Sequence, residues 1–189
     1  MAVVASIARR TVQSSKSLSE FERRFDERLL ALARVQSLVA RGNEAEIELG
    51  DLVKMEIHAH GMEIDGDKIA IHGPPFPLTP RQAETLALAL HELTTNAVKY
   101  GAISKENGRL KIVWSSRPGT AVAIEWQETG VDDLNADYNT RRGFGLELIE
   151  VAVPQALGAR TRVELRPNEG VYCLIELPGT TFEYGHQQM

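Results

Sequence analysis

One stretch of the chain, residues 85–101, restricts its fold and its chemistry more than any other. Apolar residues recur there at steps of three and four, a spacing that predicts a helix with one face against a core. These residues are Leu86, Leu90, Leu93, Ala97 and Tyr100. We therefore expect a central helix of about four to five turns.

A second stripe on the same helix is polar and consists of Glu92, Asn96 and Lys99, at steps of four and three. A carboxylate and an amide offer oxygen atoms to a hard cation such as Mg²⁺, and a lysine attracts phosphate as a point charge. The same spacing suits a solvated helix face with a Glu–Lys pair. On spacing alone we favour the solvated face, so the rest of the chain has to decide.

Composition limits the class of protein. A chain of 189 residues predicts one core domain, or one domain with a short helical appendage. A net charge of −5 argues against general nucleic-acid binding. The sequence has no apolar run of about 18 residues and no signal peptide, so we expect no membrane contact and a cytoplasmic location. The single Cys173 lies in an alternating strand pattern and is interpreted as a core residue.

The first 41 residues predict a helical hairpin. Residues 1–14 resemble the tail of a helix, and either Ser17 or Ser19 can form a capping box that starts the next one. The second helix has a periodic seam formed by Leu18, Phe21, Phe25, Leu29, Leu32, either Val35 or Gln36, and Val39. A hairpin of this size buries little area alone, so we expect it to pair with a second copy or with the following domain.

The remainder alternates between helical and strand patterns. A short helix is predicted over residues 50–58, and a β-hairpin around the turn sequence Asp65-Gly66-Asp67. Strands follow near residues 110–114, 122–128, 160–165 and 170–177, with a helix over 145–157. Thr79 and Gln82 form a capping box at the start of the central helix. The order predicts an α+β fold with helices on one face of a mixed sheet.

Three further features accompany the polar stripe. Glu128 ends a strand and is followed by Gly130, and the polar segment 131–142 ends in Arg141 and Arg142. The sequence Gly143-Phe144-Gly145 then opens a helix, whose amino-terminal amides and dipole suit phosphate. Each feature alone has an ordinary explanation, but their order and spacing together are distinctive.

These motifs resemble the catalytic domain of HWE-type sensor histidine kinases. The resemblance rests on the segment from His91 to Ala102, on Trp126-Gln127-Glu128 and on the glycine turn, with His91, Trp126 and Glu128 as the family signature. Residues 1–53 are similar to the dimerisation and phosphotransfer hairpin of that family. The resemblance covers nearly the whole chain.

The resemblance implies a GHKL-type ATP-binding α/β sandwich, shared with gyrase-like ATPases and heat-shock chaperones, with ATP and Mg²⁺ as cofactors. Asn96 would hold Mg²⁺, Glu92 would assist the metal or its water, and Lys99 would reach a phosphate. The implied nucleotide contacts are Tyr100, Glu128, Gly130, Arg141, Arg142, Gly143, Phe144 and Gly145. Among them Glu128 would accept the adenine amino hydrogen and select adenine over guanine.

The two remaining signature residues have structural alternatives. His91 points away from the polar stripe by helical geometry, so it either orients a neighbour or packs. Trp126 alternates with Val122 and Ile124, so we interpret it as a core residue that supports Glu128.

Two departures from the family pattern are present. Gly130 is followed by Val131 and Asp132 where relatives commonly have Gly-Pro, so the start of the lid is expected to differ in shape. The family's phosphoacceptor histidine has no counterpart in the hairpin, because the histidines are at positions 58, 60, 72, 91 and 186. The chain is either a truncated piece of a larger sensor kinase or a degenerate form, and we favour truncation.

The resulting hypothesis divides the chain into a partial hairpin (residues 1–47), a catalytic ATP-binding domain (48–180) and a tail (181–189). The parent kinase would phosphorylate a histidine and then an aspartate of a response-regulator receiver domain, acting as a homodimer. This chain would bind Mg·ATP without autophosphorylating. The alternatives are a non-catalytic docking module with a vestigial pocket, and an anti-sigma-type Ser/Thr kinase, a class without this hairpin or the Trp-x-Glu signature.

Overall fold

A five-stranded mixed sheet lies at the centre of the computed structural model, which describes residues 2–41, 47–64, 67–131, 144–166 and 170–179. Its strands are β2 (Ile69–His72), β4 (Arg109–Ser115), β5 (Thr120–Thr129), β7 (Gly170–Pro178) and β6 (Arg160–Arg166), in that spatial order. The pair β2–β4 is parallel and the other three pairs are antiparallel. Two short strands, β1 (Ile47–Glu48) and β3 (Pro77–Leu78), form a separate antiparallel pair.

Period-two alternation explains the long strands and their register. Ile112 lies opposite Trp126, and Trp114 lies opposite Ile124, so apolar side chains of β4 and β5 meet on one face. Cys173 on β7 lies opposite Trp126 on the other side and is buried, which confirms its predicted core position. The outer strand β6 differs, since four of its seven residues, Arg160, Arg162, Glu164 and Arg166, are charged.

The helices cover this apolar face. They are α1 (Ala2–Ser14), α2 (Leu18–Arg41), α3 (Leu49–Ala59), α4 (Pro80–Lys99), α5 (Phe144–Glu147) and α6 (Val153–Leu157). A short 3₁₀ helix (Ala102–Ser104) follows α4, and a π-helical turn (Leu148–Ala152) joins α5 to α6. The fold is α+β with a mixed sheet, as predicted.

The central helix α4 begins where its sequence predicts. The Thr79 side chain accepts a hydrogen bond from the backbone amide of Gln82, and the Gln82 side chain accepts one from the Thr79 amide. This capping box satisfies two of the amides that a helix start leaves without partners. The predicted start of α4 is therefore confirmed.

The amino-terminal hairpin packs on the α/β domain. Ser17 caps α2 by accepting from the Glu20 amide, which settles the choice between the two predicted serine caps. Ala31 and Val35 of α2 are fully buried. Gln36 donates to Glu84 and Arg28 to Glu92, so α2 runs antiparallel to α4. Two packing partners were predicted for the hairpin, a second copy or the following domain, and in this structure it packs on the following domain.

One local prediction is wrong. Residues Met62 to Ile64 are described and form no strand, so there is no β-hairpin around the Asp-Gly-Asp turn. Ile69–His72 instead pairs in parallel with β4, and Ile69 lies opposite Leu110. The local turn sequence favours a reversal, but β2 pairs with a strand about 40 residues further along the chain and buries Ile69 there.

Within the described ranges, none of the helices is both long and apolar enough to cross a bilayer.

Candidate functional site

The polar stripe of α4 is covered at its amino-terminal end. The Nε atom of Arg28, on α2, donates to the Glu92 carboxylate at 2.7 Å. The Arg28 side chain is only 3% exposed and the Glu92 side chain 12%. Arg28 also donates to the Thr11 hydroxyl of α1 at 2.9 Å, so both hairpin helices reach this point. The solvated-face interpretation that spacing alone favoured is therefore wrong for Glu92.

Gly145, the second residue of α5, lies against the same stripe. A Cβ atom at Gly145 would stand 3.0 Å from a Glu92 carboxylate oxygen and 3.4 Å from the Asn96 amide nitrogen. A side chain at Gly145 would fit only if Glu92 moved by a few tenths of an ångström, so the close approach of this backbone to the stripe favours glycine. The structure thus brings together Glu92, Asn96 and Gly145, as expected. Arg141, Arg142 and Gly143 lie outside the described residues, and Phe144 is the first residue of α5.

The carboxyl end of α4 is more open. Lys99 is the last helical residue and Tyr100 is the C-cap, with 45% of Tyr100 exposed. Partial burial lowers the pKa of Lys99 below its usual value. Neighbouring charges act in both directions, since Glu27 and Glu92 raise this pKa while Arg23 and Arg24 lower it. Lys99 is thus placed one turn beyond Asn96, beside the hairpin.

Glu128 is a buried carboxylate with two fixed donors. It is 3% exposed, and it accepts from the indole N–H of Trp126 at 2.9 Å and from the backbone amide of Ala102 at 2.8 Å. Burial raises its pKa, although both hydrogen bonds act to lower it. The predicted burial of Trp126 and its support of Glu128 are confirmed, since Trp126 is 1% exposed.

Two glycines adjoin this carboxylate. A Cβ atom at Gly101 would lie 1.9 Å from a Glu128 carboxylate oxygen, so the end of α4 can approach Glu128 only as glycine. Gly130 has a φ of +71°, and a Cβ atom there would lie 2.5 Å from the carbonyl oxygen of Asn107. The backbone geometry of Gly130 is thus required by the adjacent loop, independently of any ligand.

Replacing Trp126 with phenylalanine should reduce the free energy of unfolding by about 2 kcal/mol at about pH 8, because a buried carboxylate loses a donor. Glu128 has a raised pKa, and ionising it in the folded state costs stability as the pH rises through that pKa. Losing the indole donor raises the pKa further. The loss of unfolding free energy relative to the wild-type chain should therefore be larger at about pH 8 than at about pH 5, and urea denaturation measures it.

Trp114→Phe is the matched control. Its indole N–H donates at 2.7 Å to the uncharged carbonyl of Pro74, so its loss should cost the same at both pH values. An equal pH dependence in the two variants would show that Trp126 does not act through the charge on Glu128.

A second polar cluster was missed by the sequence reasoning. Glu56 of α3 is 1% exposed and is bound by Arg34 of α2, whose Nη2 lies 2.8 Å from Oε2. His91 is 6% exposed, and its Nδ1 stands 3.6 Å from the same oxygen. The His60 ring lies 5.1 Å from the His91 ring, centroid to centroid. His91 therefore belongs to a buried cluster on the side of α4 that faces α2 and α3.

The sequence contains one signal for this cluster. Glu56 lies on the helix predicted over residues 50–58, and His60 follows four residues later, a helical step that places the two on one side. Their proximity to His91 and Arg34 depends on how three helices pack, so no local pattern could indicate it.

The comparisons with known proteins agree with this architecture. Residues 1–75 match the model of the HWE histidine kinase family. The chain is 32% identical over 164 residues to the blue-light-activated histidine kinase 1 of Erythrobacter litoralis, a match over 85% of this chain and 45% of that protein. It is 30% identical over 179 residues to the blue-light-activated histidine kinase of Rhizobium johnstonii, over 94% of this chain and 49% of that protein. The chain thus spans about half the length of these relatives.

Solved histidine kinase structures share the fold. The Erythrobacter litoralis EL346 blue-light activated histidine kinase superposes with a TM-score of 0.62 at 18% identity, covering 94% of this chain and 61% of that one. The catalytic domain of the histidine kinase ThkA superposes with a TM-score of 0.52 at 19% identity, covering 71% of this chain and 95% of that domain. The ThkA match corresponds to a catalytic domain alone, whereas the EL346 match spans nearly all of this chain. The solved structures show a shared fold, and the sequence matches show that the chain is similar to the HWE histidine kinases.

Proposed function

We propose that this chain is the ATP-binding kinase core of a two-component sensor histidine kinase. The observation that carries the proposal is the convergence of Glu92, Asn96 and Gly145 at one point, with Glu128 held on the strand beyond the end of α4. Phosphoryl transfer depends mainly on positioning and on neutralising phosphate charge, and this arrangement supplies groups for both.

The metal and phosphate part of the site would use the stripe of α4. The Asn96 side-chain oxygen and the Glu92 carboxylate are hard oxygen donors of the kind that Mg²⁺ takes, so the residues present fit this ion. Mg²⁺ bound there would neutralise charge on the nucleotide phosphates. Lys99 would meet a phosphate, and the close approach of Gly145 leaves backbone amides rather than side chains to face it.

The adenine part would use Glu128. Each oxygen of this carboxylate accepts one protein donor and has lone pairs left, so it can accept the adenine amino hydrogen as well. Guanine presents an oxygen at that position and would face a buried carboxylate without a donor between them. We therefore expect a preference for adenine. Tyr100, Gly130, Arg141, Arg142, Gly143 and Phe144 would complete the nucleotide site.

The parent protein would use the hairpin of residues 1–47 for dimerisation and phosphotransfer, and residues 48–180 for ATP binding. The phosphoryl group would pass to a histidine outside this chain and then to an aspartate of a response-regulator receiver domain in the cytoplasm. On this basis the chain binds Mg·ATP but does not autophosphorylate.

One observation favours the alternative of a docking module with a vestigial pocket. Arg28 already pairs with Glu92, the carboxylate that would assist the metal. In that case hairpin docking would be retained while nucleotide binding is lost.

Calorimetric titration separates the two functions. We expect the full chain to bind ADP with Mg²⁺, to bind much more weakly with EDTA in place of Mg²⁺, and to discriminate against GDP. A preference for adenine of about 10-fold or more corresponds to at least about 1.4 kcal/mol. Absence of heat with Mg·ADP would rule out the kinase core and leave the docking module. Equal binding of ADP and GDP would remove Glu128 from the role proposed for it.

A further inference from the structure

We propose that Glu56, His60 and His91 form a binding site for a divalent transition-metal ion of the zinc class. The three side chains each offer one ligand atom, and these atoms lie within 4.8 Å of one another. Two imidazoles and one carboxylate make a common set of protein ligands for zinc, with a remaining position for water. This site is separate from the oxygen-donor stripe proposed for Mg²⁺, because imidazole nitrogen suits zinc-class ions and not Mg²⁺.

His91 offers a buried nitrogen atom that can bind a metal ion. The side chain is 6% exposed, and its Nδ1 atom has no hydrogen-bond partner within the described part of the chain. Leaving a buried polar atom unpaired costs free energy comparable to a lost hydrogen bond. The Oε2 atom of the Glu56 carboxylate stands 3.6 Å from this nitrogen. That separation resembles the spacing of two ligands around one ion whose bonds are about 2 Å long.

His60 is oriented in the manner of a metal ligand. Its Nδ1 lies 2.9 Å from the backbone carbonyl of Glu56, so Nδ1 carries the proton and donates to that oxygen. The Nε2 atom then carries a lone pair, and this nitrogen lies 3.2 Å from the Thr95 hydroxyl oxygen. A hydrogen bond from the second ring nitrogen to a carbonyl is the usual way in which proteins fix a ligating histidine.

The Glu56 carboxylate is also held in place by a second partner. Arg34 binds Glu56 through both carboxylate oxygens, and a carboxylate that ligates a metal is typically held by such a second partner.

An entry path is present. A cleft of about 240 Å³ between α2, α3 and α4 is lined by His60, His91, Arg34 and Thr95, among other residues. Glu27 and Lys99 line the same cleft, so its mouth carries both signs of charge. An ion and its water can therefore reach the two imidazoles from solvent without unfolding the helices.

Titration of the untagged full chain with Co²⁺, in excess Mg²⁺, tests the site. We expect one equivalent of Co²⁺ to give the visible absorption of a nitrogen-ligated ion, and Zn²⁺ to displace it. His91→Gln and His60→Gln should each weaken binding at least about 100-fold, since even outer-shell changes cost 10–100-fold. His58→Gln is the matched control, because His58 lies on α3 two residues from both Glu56 and His60, is exposed and is not in the cluster.

The outcomes are distinct. Binding that is unchanged in the His60 and His91 variants, or lost equally in the His58 variant, would overturn the proposal, as would the absence of binding in the wild-type chain. If His91→Gln does not fold, as judged by circular dichroism, the half-buried His60 provides the test. The Mg·ADP titration is independent of this result, so the two proposals fail separately.

Discussion

Replacing Asn96 with alanine is expected to weaken Mg·ADP binding at least about 100-fold, which corresponds to about 2.7 kcal/mol. The Asn96 amide lies close to Gly145 of α5, one helical turn from Glu92, where it would hold Mg²⁺ on the proposed function. Removing its oxygen would leave Mg²⁺ short of a ligand that water cannot replace with the same geometry. Asn96→Asp retains an oxygen ligand, so it should lose less affinity than the alanine variant. Calorimetric titration with Mg·ADP gives the affinities of the wild-type chain and the two variants.

The control for this prediction lies on the same helix. Thr85 is eleven residues before Asn96, and its hydroxyl bonds only to the Arg81 carbonyl within the described structure. Thr85→Ala should bind Mg·ADP as the wild-type chain does. If Asn96→Ala also binds normally, with an unchanged thermal unfolding curve, Asn96 is not a metal ligand and the proposed phosphate site is wrong.

Replacing Arg28 with methionine should lower the free energy of unfolding by about 3 kcal/mol. Methionine keeps much of the apolar part of the arginine side chain, so the loss of unfolding free energy is due mainly to the removed charge. The Glu92 carboxylate would remain largely buried without its ion-pair partner, and the Thr11 hydroxyl would lose the Arg28 donor. Breaking a buried pair from one side is costly for this reason, even where the intact pair contributes little. Urea denaturation gives the difference.

An exposed arginine on the same helix provides the comparison. Arg23 pairs with Glu27, and their side chains are 49% and 37% exposed, so Arg23→Met should cost less than about 0.5 kcal/mol. The double variant Arg28→Met with Glu92→Gln should be more stable than Arg28→Met alone, since the uncompensated charge is removed. Equal losses at Arg23 and Arg28 would mean that burial of the pair does not determine its contribution.

Local patterns predicted the elements well, because each depends on residues close in sequence. The capping box at Thr79 and the alternation around Ile112 and Trp126 are examples, and both appear as expected. Pairing between segments that are far apart in sequence was harder to predict. The Asp-Gly-Asp turn favoured a hairpin, yet β2 pairs in parallel with a strand that lies beyond α4.

The contacts around the polar stripe also join residues that are far apart in sequence, so local patterns could not predict them. Arg28 and Glu92 are 64 residues apart, and periodicity could place each on a helix face without indicating that the two faces meet. The exposed-face interpretation of Glu92 therefore failed, while the resemblance to a kinase family grouped Glu92, Asn96 and the glycine turn correctly. The π-helical turn within 148–152 also has no signature in the apolar spacing used to predict that helix.

The two outer strands of the sheet bear on how this protein can recognise others. At one margin β2 has only four residues, and at the other margin β6 carries Arg160, Arg162, Glu164 and Arg166. Short length and charge are features that hinder a foreign strand from adding to a sheet. Strand addition is thus disfavoured at both margins, and we expect protein partners to dock on helices and loops. The sheet would then remain an internal scaffold, protected from edge-to-edge aggregation.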